Sequence, residues 1–444
     1  MVAKSDICEK VKNAGVVGAG GAGFPTHIKL AAKADVFLVN AAECEPMLRA
    51  DQQLMAKHPE QLVRGLDLAM QSTGAREGII ALKAKYVEAI AALNPLLQPN
   101  MRIEILRDVY PAGDEVITLW MTTGRRVPPG GIPIQVGAVI NNPQTLMNVA
   151  RAVEDEPVIQ RTFTITGAVH NPLTVTVPIG TTLREMLDLA GGASCENPAF
   201  IDGGPMMGAL VGDLQKPVTK TTGGLVVLPD DHMLIQRKRQ SMESVLRIAK
   251  TVCEQCIYCT ELCPRHIIGH ELPPHLIIRA VNHNYLGSPS VVKSALTCSE
   301  CGICEAYACP VGISPMRVNI ALKKELREKN VRYDGELRPA DPMAENRLIP
   351  SSRLVSRLNL GPWYPKYAPL QEIEYRPKRV NLLLRQHIGV AALPIVKEGD
   401  VVRKGQLVAE IPEGATGARV HASIDGTVSR VTALSILIRA GGES

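Results

Sequence analysis

Residues 253–264 read CEQCIYCTELCP and residues 298–310 read CSECGICEAYACP, and these two stretches decide how the middle of the chain folds. The first has the pattern C-x2-C-x2-C-x3-C-P and the second C-x2-C-x2-C-x4-C-P, so eight of the eleven cysteines fall in two compact sets. Thiolates at this spacing fit the corners of a cubane [4Fe–4S] cluster. The pattern therefore predicts two such clusters and a protein that moves single electrons.

The fourth cysteine of each run precedes a proline, and in two-cluster ferredoxins this residue binds the other cluster. The two predicted ligand sets are therefore crossed, with Cys253, Cys256, Cys259 and Cys309 in one and Cys298, Cys301, Cys304 and Cys263 in the other. The clusters would then lie close enough for fast electron exchange. One extra residue before the last cysteine of the second run leaves the geometry there less defined.

Zinc and disulfide bonds are the two alternatives for these cysteines. Zinc sites use pairs of C-x2-C with a longer spacer rather than triplets. A disulfide framework needs a secreted protein, and the first residues of the chain lack the apolar core of a secretory signal. The isolated Cys8, Cys44 and Cys195 are expected to be unreactive thiols.

Length and composition set further limits. A chain of 444 residues suggests about three domains, and 45% hydrophobic and 21% charged residues are typical of soluble globular proteins. Few aromatic residues (3%) and a modest net charge of +5 argue against nucleic-acid binding. No stretch is apolar for long enough to span a membrane. Reduced thiols favour a cytoplasmic location.

Hydrophobic periodicity divides the chain into five segments. Residues 1–155 alternate strands with helices, which predicts an α/β domain with a mostly parallel sheet. Residues 156–235 begin with a hairpin, Thr162–Thr166 and Leu173–Val177, followed by a helix from Thr182, which suggests a small α+β domain. Residues 241–330 carry the cysteines on helical flanks, residues 331–380 are a Pro- and Arg-rich linker, and residues 381–444 are all-β.

Four polar loops follow strands of the first domain. The first loop is Gly18-Ala19-Gly20-Gly21-Ala22-Gly23, and a G-x-G-x-x-G match of this kind is weak evidence when it stands alone. Here Phe24-Pro25-Thr26 and Lys29 follow it, and the bare backbone amides at a helix start can bind phosphate. The alternative is a structural glycine turn. The others are 40–46 (NAAECEP), 110–115 (YPAGDE) and 141–145 (NNPQT). Since ligands gather beyond the carboxyl ends of strands in open sheets, a single crevice is expected. The acidic residues of 40–46 could instead belong to a helix N-terminus.

With these four loops in this order, the chain resembles the flavin-binding subunit of respiratory complex I and, more closely, the C subunit of the Rnf complex. The resemblance implies a Rossmann-like domain that binds FMN and NADH. The FMN contacts it implies are Gly18, Gly20, Gly23, Lys29, Asn40, Glu43, Tyr110, Gly113, Asp114, Asn141, Asn142 and Thr145. The nicotinamide-nucleotide contacts it implies are Phe24, Glu45 and Glu115. Ala42 and Ala32 stand where complex I has an acid and an aromatic residue.

The remaining segments resemble other modules of the same families. Residues 156–235 are similar to a soluble-ligand-binding β-grasp (SLBB) module, residues 241–330 to a two-cluster ferredoxin-type helical domain, and residues 381–444 to a barrel-sandwich hybrid. No lysine follows Lys404 in that last segment, which argues against a swinging-arm carrier. The barrel module is amino-terminal in the Rnf subunit and carboxyl-terminal here, an order that resembles the cobalamin reductases of bacterial propanediol-utilisation microcompartments.

This resemblance implies an NADH-dependent oxidoreductase that passes electrons through FMN and two [4Fe–4S] clusters to cob(III)alamin and cob(II)alamin, for adenosylcobalamin recycling. No residue is expected to act as a catalytic acid or base. Cobalamin would be the substrate, with a corrinoid adenosyltransferase and microcompartment shell proteins as candidate partners and the microcompartment as the location. His266 or His270 could ligate cobalt, although packing roles are more usual for such residues. The alternative is an Rnf-type relay subunit between NADH and ferredoxin or a membrane partner. The oligomeric state is left open.

Overall fold

The computed structural model describes residues 4–283, 289–364 and 367–441. The amino-terminal region contains helices α1 (Lys4–Asn13), α2 (Thr26–Ala31), α3 (Ala50–Lys57), α4 (Pro59–Thr73), α5 (Val87–Leu93), α6 (Glu115–Thr123) and α7 (Pro143–Val153). Its strands are β1 (Val36–Asn40), β2 (Glu77–Lys83), β3 (Met101–Leu106), β4 (Val109–Tyr110) and β5 (Ala138–Asn141), with 3₁₀ turns at Asn94–Leu96 and Pro133–Val136.

Four of these strands form a parallel sheet in the order β3-β2-β1-β5. Alternate side chains of β1 enter different cores: Phe37 and Val39 pack with α1, α4 and α7, whereas Val36 and Leu38 pack with α6. Helices therefore cover both faces, as expected for a parallel sheet. The predicted strands are confirmed. Helix α5 ends at Leu93, because a 3₁₀ turn containing Pro95 follows it.

The second region contains β6 (Gln160–Gly167), β7 (Leu173–Pro178), α8 (Leu183–Leu189), β8 (Pro198–Asp202), β9 (Ala209–Val211) and β10 (Gly224–Pro229). The β6–β7 hairpin is confirmed, and with β12 (Leu370–Gln371) at one edge the sheet has the order β12-β7-β6-β10-β8-β9. Thr182 caps α8 and exchanges hydrogen bonds with Glu185 as a capping box. The edge strand β12 (Leu370–Gln371) comes from the segment predicted as a linker.

The cysteine region is helical. It contains α9 (Met233–Arg239), α10 (Met242–Val252), α11 (Tyr258–Glu261), α12 (Pro264–Ile267), α13 (Pro274–His283), α14 (Pro289–Lys293) and α15 (Pro315–Glu328), with a 3₁₀ turn at Ser294–Thr297 and a π-helical turn at Cys304–Ala308. The following segment is more ordered than its composition suggested. It carries α16 (Ala344–Arg347), β11 (Ile349–Pro350) and α17 (Ser351–Arg357), and β11 pairs with β4 of the first domain.

The carboxyl-terminal region contains β13 (Arg379–Leu383), β14 (Leu393–Pro394), β15 (Val401–Val402), β16 (Leu407–Glu410), β17 (Val420–His421), β18 (Gly426–Val431) and β19 (Ser435–Ala440). These strands form two sheets, β13-β19-β18-β15 and β14-β16-β17. Their buried residues, among them Val380 and Ile438, continue the core that contains α1 and α4. The all-β module therefore packs directly on the first domain. Within the described ranges, no helix combines the length and apolar character needed to cross a membrane.

Candidate flavin and iron–sulfur sites

The glycine loop has one packed end and one open face. Gly23 has a φ of +70°, and a Cβ there would lie 2.7 Å from Cγ2 of Thr221, so this end of the loop tolerates only glycine. At Gly21 no described atom lies within 4 Å of where a Cβ would be, and at Gly20 the nearest is Nδ2 of Asn142 at 3.9 Å. The open face can therefore admit a ligand close to the backbone.

Residues from two other elements hold this loop in place. The amide of Ala19 donates to Oγ1 of Thr145 at 2.8 Å, and Arg161 donates from Nη2 to the Ala19 carbonyl, also at 2.8 Å. Arg161 is almost completely buried, and this desolvation lowers its pKa to about 10. Sequence reasoning missed Arg161 because it lies on β6, more than 140 residues from the loop.

Two asparagines at neighbouring strand ends present unpaired polar atoms. Asn40 ends β1 and Asn141 ends β5, and parallel pairing places Asn141 beside Val39. Asn40 donates from Nδ2 to the Gly113 carbonyl at 2.7 Å. In the described part of the chain, Oδ1 of Asn40 and Nδ2 of Asn141 are buried without a hydrogen-bond partner. Buried polar atoms are normally paired, so these two fit a polar ligand at this edge of the sheet.

An acidic pair lies beside these asparagines. Desolvation, followed by the neighbouring Asp51 carboxylate, raises the pKa of Glu43 to about 8. Asp51 accepts hydrogen bonds from Asn142 at 2.5 Å and from Gln144 at 2.9 Å. Oδ1 of Asn142 also caps α7 by accepting from the Gln144 amide. Asn142 and Thr145 therefore hold the loops that border the crevice, and the raised pKa of Glu43 favours the protonated form of its carboxyl.

Some of the remaining predicted cofactor contacts have partly exposed side chains, and others are enclosed by neighbouring residues. Lys29 donates from Nζ to Glu115 at 2.9 Å and to the Ile140 carbonyl at 2.8 Å, and Phe24 is partly exposed. Asp114 caps α6 through the amides of Val116 and Ile117. Gly113 lies against Cys44, whose thiol has a pKa raised by burial to about 12, in keeping with the expected unreactive cysteine.

Two predicted contacts are hydrogen-bonded to other parts of the chain. Tyr110 is fully buried and donates from its hydroxyl to the carbonyl of Cys301 at 2.7 Å, which places it against a cysteine loop. Glu45 accepts hydrogen bonds from the backbone amides of Met206 and Met207 in the second domain.

The cysteines fall into two groups. Burial raises the pKa of Cys259 to about 12, and the nearby thiols of Cys309, Cys256, Cys253 and, most weakly, Cys263 act in the same direction. We call Cys253, Cys256, Cys259 and Cys309 the outer set. Burial likewise raises the pKa of Cys301, with Cys263 and then Cys298 as thiol neighbours, and Cys304 has the same neighbours. Cys263, Cys298, Cys301 and Cys304 are the inner set. This grouping favours the crossed pairing.

The two sets fit a cluster better than a single ion. Over the described residues, no group of three or more His, Cys, Asp or Glu side chains is arranged to hold one metal ion. A cubane has a different requirement, because each of its four thiolates binds a different iron. All four cysteines of the inner set line one small cavity, together with Leu272, Pro274 and Met316. Since buried thiols are neutral without metal, binding iron must release their protons.

The sets differ in exposure. Cys256 of the outer set is exposed, and Cys253 and Cys259 are partly exposed, whereas all four inner cysteines are buried. The inner set is also tied to the first domain, by Tyr110 at Cys301 and by an ion pair between Arg265 and Asp114. His270 is buried, and its Nε2 lies 2.8 Å from the carbonyl of Val127, so this nitrogen already has a hydrogen-bond partner.

Family models match four parts of the chain. The Nuo51 FMN-binding domain matches residues 11–151, the SLBB domain 162–210, the 4Fe-4S dicluster domain 252–314 and the RnfC barrel sandwich hybrid domain 365–442. The predicted fold class, the FMN-binding domain and the dicluster domain are thereby confirmed. The exact domain boundaries stay a prediction.

Three curated relatives extend these matches. The chain is 61% identical to the cobalamin reductase PduS of Citrobacter freundii over 98% of the chain and 96% of that protein. It is 60% identical to the cobalamin reductase PduS of Salmonella typhimurium over 98% of the chain and 97% of that protein. It is 38% identical to the C subunit of the Na⁺-translocating ferredoxin:NAD⁺ oxidoreductase complex of Acetobacterium woodii, over 59% of the chain and 58% of that protein.

Proposed function

Because the chain belongs to the family of the cobalamin reductases PduS, we propose that it uses NADH to reduce cob(III)alamin and cob(II)alamin toward cob(I)alamin, through FMN and two [4Fe–4S] clusters. The observation that carries the proposal is the direct attachment of the inner cysteine set to the flavin loops. A flavin, when bound, supplies the conversion between a two-electron hydride donor and one-electron acceptors.

The residues of the first domain have distinct tasks in this scheme. The open face of Gly20 and Gly21 and the unpaired atoms of Asn40 and Asn141 would bind FMN. Lys29 adds positive charge near the glycine loop, and its ion pair with Glu115 orients both side chains. Phe24 and Glu115 are at least partly exposed, so a nucleotide could approach them from solvent. None of these roles requires proton transfer by a side chain.

In this scheme electrons move from the flavin domain to the cysteine set beside it and then to the set that reaches the surface. Tyr110 and Asp114 hold the inner set next to the flavin domain, whereas the outer set includes the exposed Cys256. A large acceptor such as a corrinoid can approach only a surface group. The difference in exposure therefore supports entry at the inner set and exit at the outer set.

An anaerobic titration tests the proposal. Protein loaded with FMN, iron and sulfide is mixed with cob(III)alamin, NADH is added in steps, and the visible spectrum is followed. We expect stoichiometric formation of cob(II)alamin. Free FMN at the same concentration, with NADH, measures the reaction without protein. If the wild-type chain reduces neither cobalamin nor any other one- or two-electron acceptor, it is not an NADH-dependent reductase.

Two cysteine variants separate the enzyme from its alternatives. Cys304→Ala removes an inner ligand, and Cys195→Ala removes a half-exposed thiol that lies outside both sets. We expect Cys304→Ala to keep flavin bleaching by NADH but to lose cobalamin reduction, and Cys195→Ala to keep both. The similarity to the Acetobacterium woodii protein favours a second candidate, a relay subunit. Reduction of a ferredoxin but not of cobalamin would favour that function.

The family also motivates a proposal about location and partners. We infer that the chain works inside a bacterial microcompartment, next to a corrinoid adenosyltransferase and shell proteins. Purified microcompartments should contain the chain, and crosslinking should join it to the adenosyltransferase. Recovery of the chain only outside the particles would contradict this.

A further inference from the structure

Both carboxylate oxygens of Glu45 accept hydrogen bonds from a turn of the neighbouring domain. Oε2 accepts from the Met206 amide at 2.9 Å, and Oε1 accepts from the Met207 amide at 2.7 Å. Two consecutive amides on one carboxylate are charge-assisted hydrogen bonds, which are stronger than neutral ones. The resemblance to complex I assigned this residue to the nucleotide, yet here its oxygens are already engaged.

The turn 203–208 is shaped to receive this carboxylate. Gly203 has a φ of +104°, and the Gly208 amide closes the turn on the Gly204 carbonyl at 2.9 Å. A Cβ on Gly204 would lie 2.1 Å from Oε2 of Glu45. Only glycine permits so close an approach, which explains the Gly-Gly start of the motif.

The opposite side of the turn rests on the inner cysteine set. Met206 is buried, and its Cε lies 3.3 Å from where a Cβ on Gly302 would be. Gly302 follows Cys301 directly and has a φ of +80°. The turn therefore lies between the 40–46 loop of the flavin domain and the loop that carries the inner cysteines.

Lys238 also binds this turn, through two of its backbone carbonyls. Lys238 donates from Nζ to the carbonyls of Gly208, at 2.6 Å, and of Met206, at 3.2 Å. The turn therefore donates two amide hydrogen bonds to Glu45 and accepts two carbonyl hydrogen bonds from Lys238. Met47, Tyr110, Met206 and Cys301 belong to one buried apolar cluster, so displacing the turn would also disturb Tyr110 and Cys301.

We propose that Glu45 is a positioning residue: through the 203–208 turn it fixes the separation between the flavin loops and the inner cysteine set. The inference rests on the proposed function only for the identity of the two redox groups. It assigns Glu45 to the electron-transfer step and not to nucleotide binding.

Hydrogen exchange in the protein loaded with iron and sulfide tests the contact itself. In Glu45→Gln one amide loses its acceptor, so we expect the Met206 and Met207 amides to exchange about tenfold faster. Gly204→Ala should have the same effect, because its Cβ displaces the carboxylate. Met207→Ala is the matched control, since it removes an exposed side chain and keeps the amide. Unchanged exchange in both test variants overturns the proposal.

Transient spectroscopy of the loaded protein tests the consequence. After photoreduction of the flavin, the cluster absorbance of Glu45→Gln should bleach at least about threefold more slowly than in wild type, because small misplacements of reacting groups are costly. The KM for NADH should not change. A raised KM with normal cluster bleaching would show that Glu45 contacts the nucleotide, and the proposal would be wrong. Wild-type protein that NADH cannot reduce would contradict the proposed function alone, since photoreduction and exchange need no NADH.

Discussion

Arg265 donates a hydrogen bond from Nη2 to Oδ2 of Asp114 at 2.8 Å, and each side chain is only 12% exposed. Arg265 comes two residues after Cys263, and Asp114 caps α6 at the edge of the flavin crevice. The ion pair therefore joins the candidate cluster site to the candidate flavin site. Breaking a buried pair leaves one charge uncompensated, which costs much more than the pair itself contributes.

Asp114→Asn should destabilise the protein through this pair. The amide oxygen can still cap α6, but Arg265 is left without its counter-charge. We expect the free energy of unfolding to fall by about 3 kcal/mol, measured by urea titration of the metal-free chain. Asp230→Asn, in the exposed pair with Arg239, is the control and should leave the transition unchanged. Equal transitions for the two variants would show that Arg265 is stabilised in another way.

Pairs of cysteine variants distinguish crossed from sequential ligation. If ligation is crossed, Cys263→Ala combined with Cys304→Ala disables one cluster, whereas Cys263→Ala combined with Cys256→Ala disables both. Iron and acid-labile sulfide should therefore be about half of wild type in the first double variant and close to zero in the second. The opposite result, with both clusters lost in the first and one kept in the second, would establish sequential ligation.

The raised pKa of Glu43 predicts a pH-dependent stability. Desolvation and the Asp51 carboxylate raise this pKa from about 4.5 to about 8. Because the folded value is the higher one, the stabilising contribution is complete below about pH 4.5 and is lost as the pH rises through about 8. The thermal midpoint of wild type should therefore fall relative to that of Glu43→Gln between about pH 5 and 8. Glu88→Gln, at an exposed site, is the control, and parallel curves for wild type and Glu43→Gln would contradict the assignment.

Two glycine variants separate flavin binding from packing. Gly20→Ala adds a methyl group with no atom of the described residues nearer than 3.9 Å, so its unfolding free energy should stay within about 0.5 kcal/mol of wild type. If FMN approaches the loop, this variant should nevertheless bind FMN at least about tenfold more weakly, measured by fluorescence titration. Gly23→Ala combines a strained φ with a 2.7 Å clash and should lose about 2 kcal/mol of stability. Normal FMN affinity in Gly20→Ala would place the flavin elsewhere.

The sequence predicted helices and strands correctly in the segments where a single hydrophobic pattern runs through the residues. Val36–Val39 is a continuous apolar run and forms the centre of the parallel sheet, and the alternating residues of 162–166 and 173–177 form the hairpin. The segment 331–380 has no such period, so its composition suggested a linker. Its strands β11 and β12 instead complete pairings with β4 and β7, because an unpaired edge can recruit a short distant segment that has little pattern of its own.

The residues of the candidate site also divide into those that the sequence pointed to and those that only the structure revealed. Glycine, asparagine and cysteine spacing pointed to the loops, since these residue types have few other uses at such positions. Arg161 gave no comparable signal, because an arginine in a strand is ordinarily a solvated residue. Only its burial against the Ala19 carbonyl reveals that it supports the glycine loop.

The sequence by itself determined the two cysteine sets and the glycine loop, because cluster ligation and close backbone approach need particular residues at short, fixed spacing; the flavin followed from the family resemblance. The tertiary structure alone decided which cysteine set lies next to the flavin loops and which reaches the surface. It also decided that Glu45 faces the 203–208 turn. These relationships join residues that are far apart in the chain, and burial and hydrogen-bond pairing, which select them, exist only once the domains have packed.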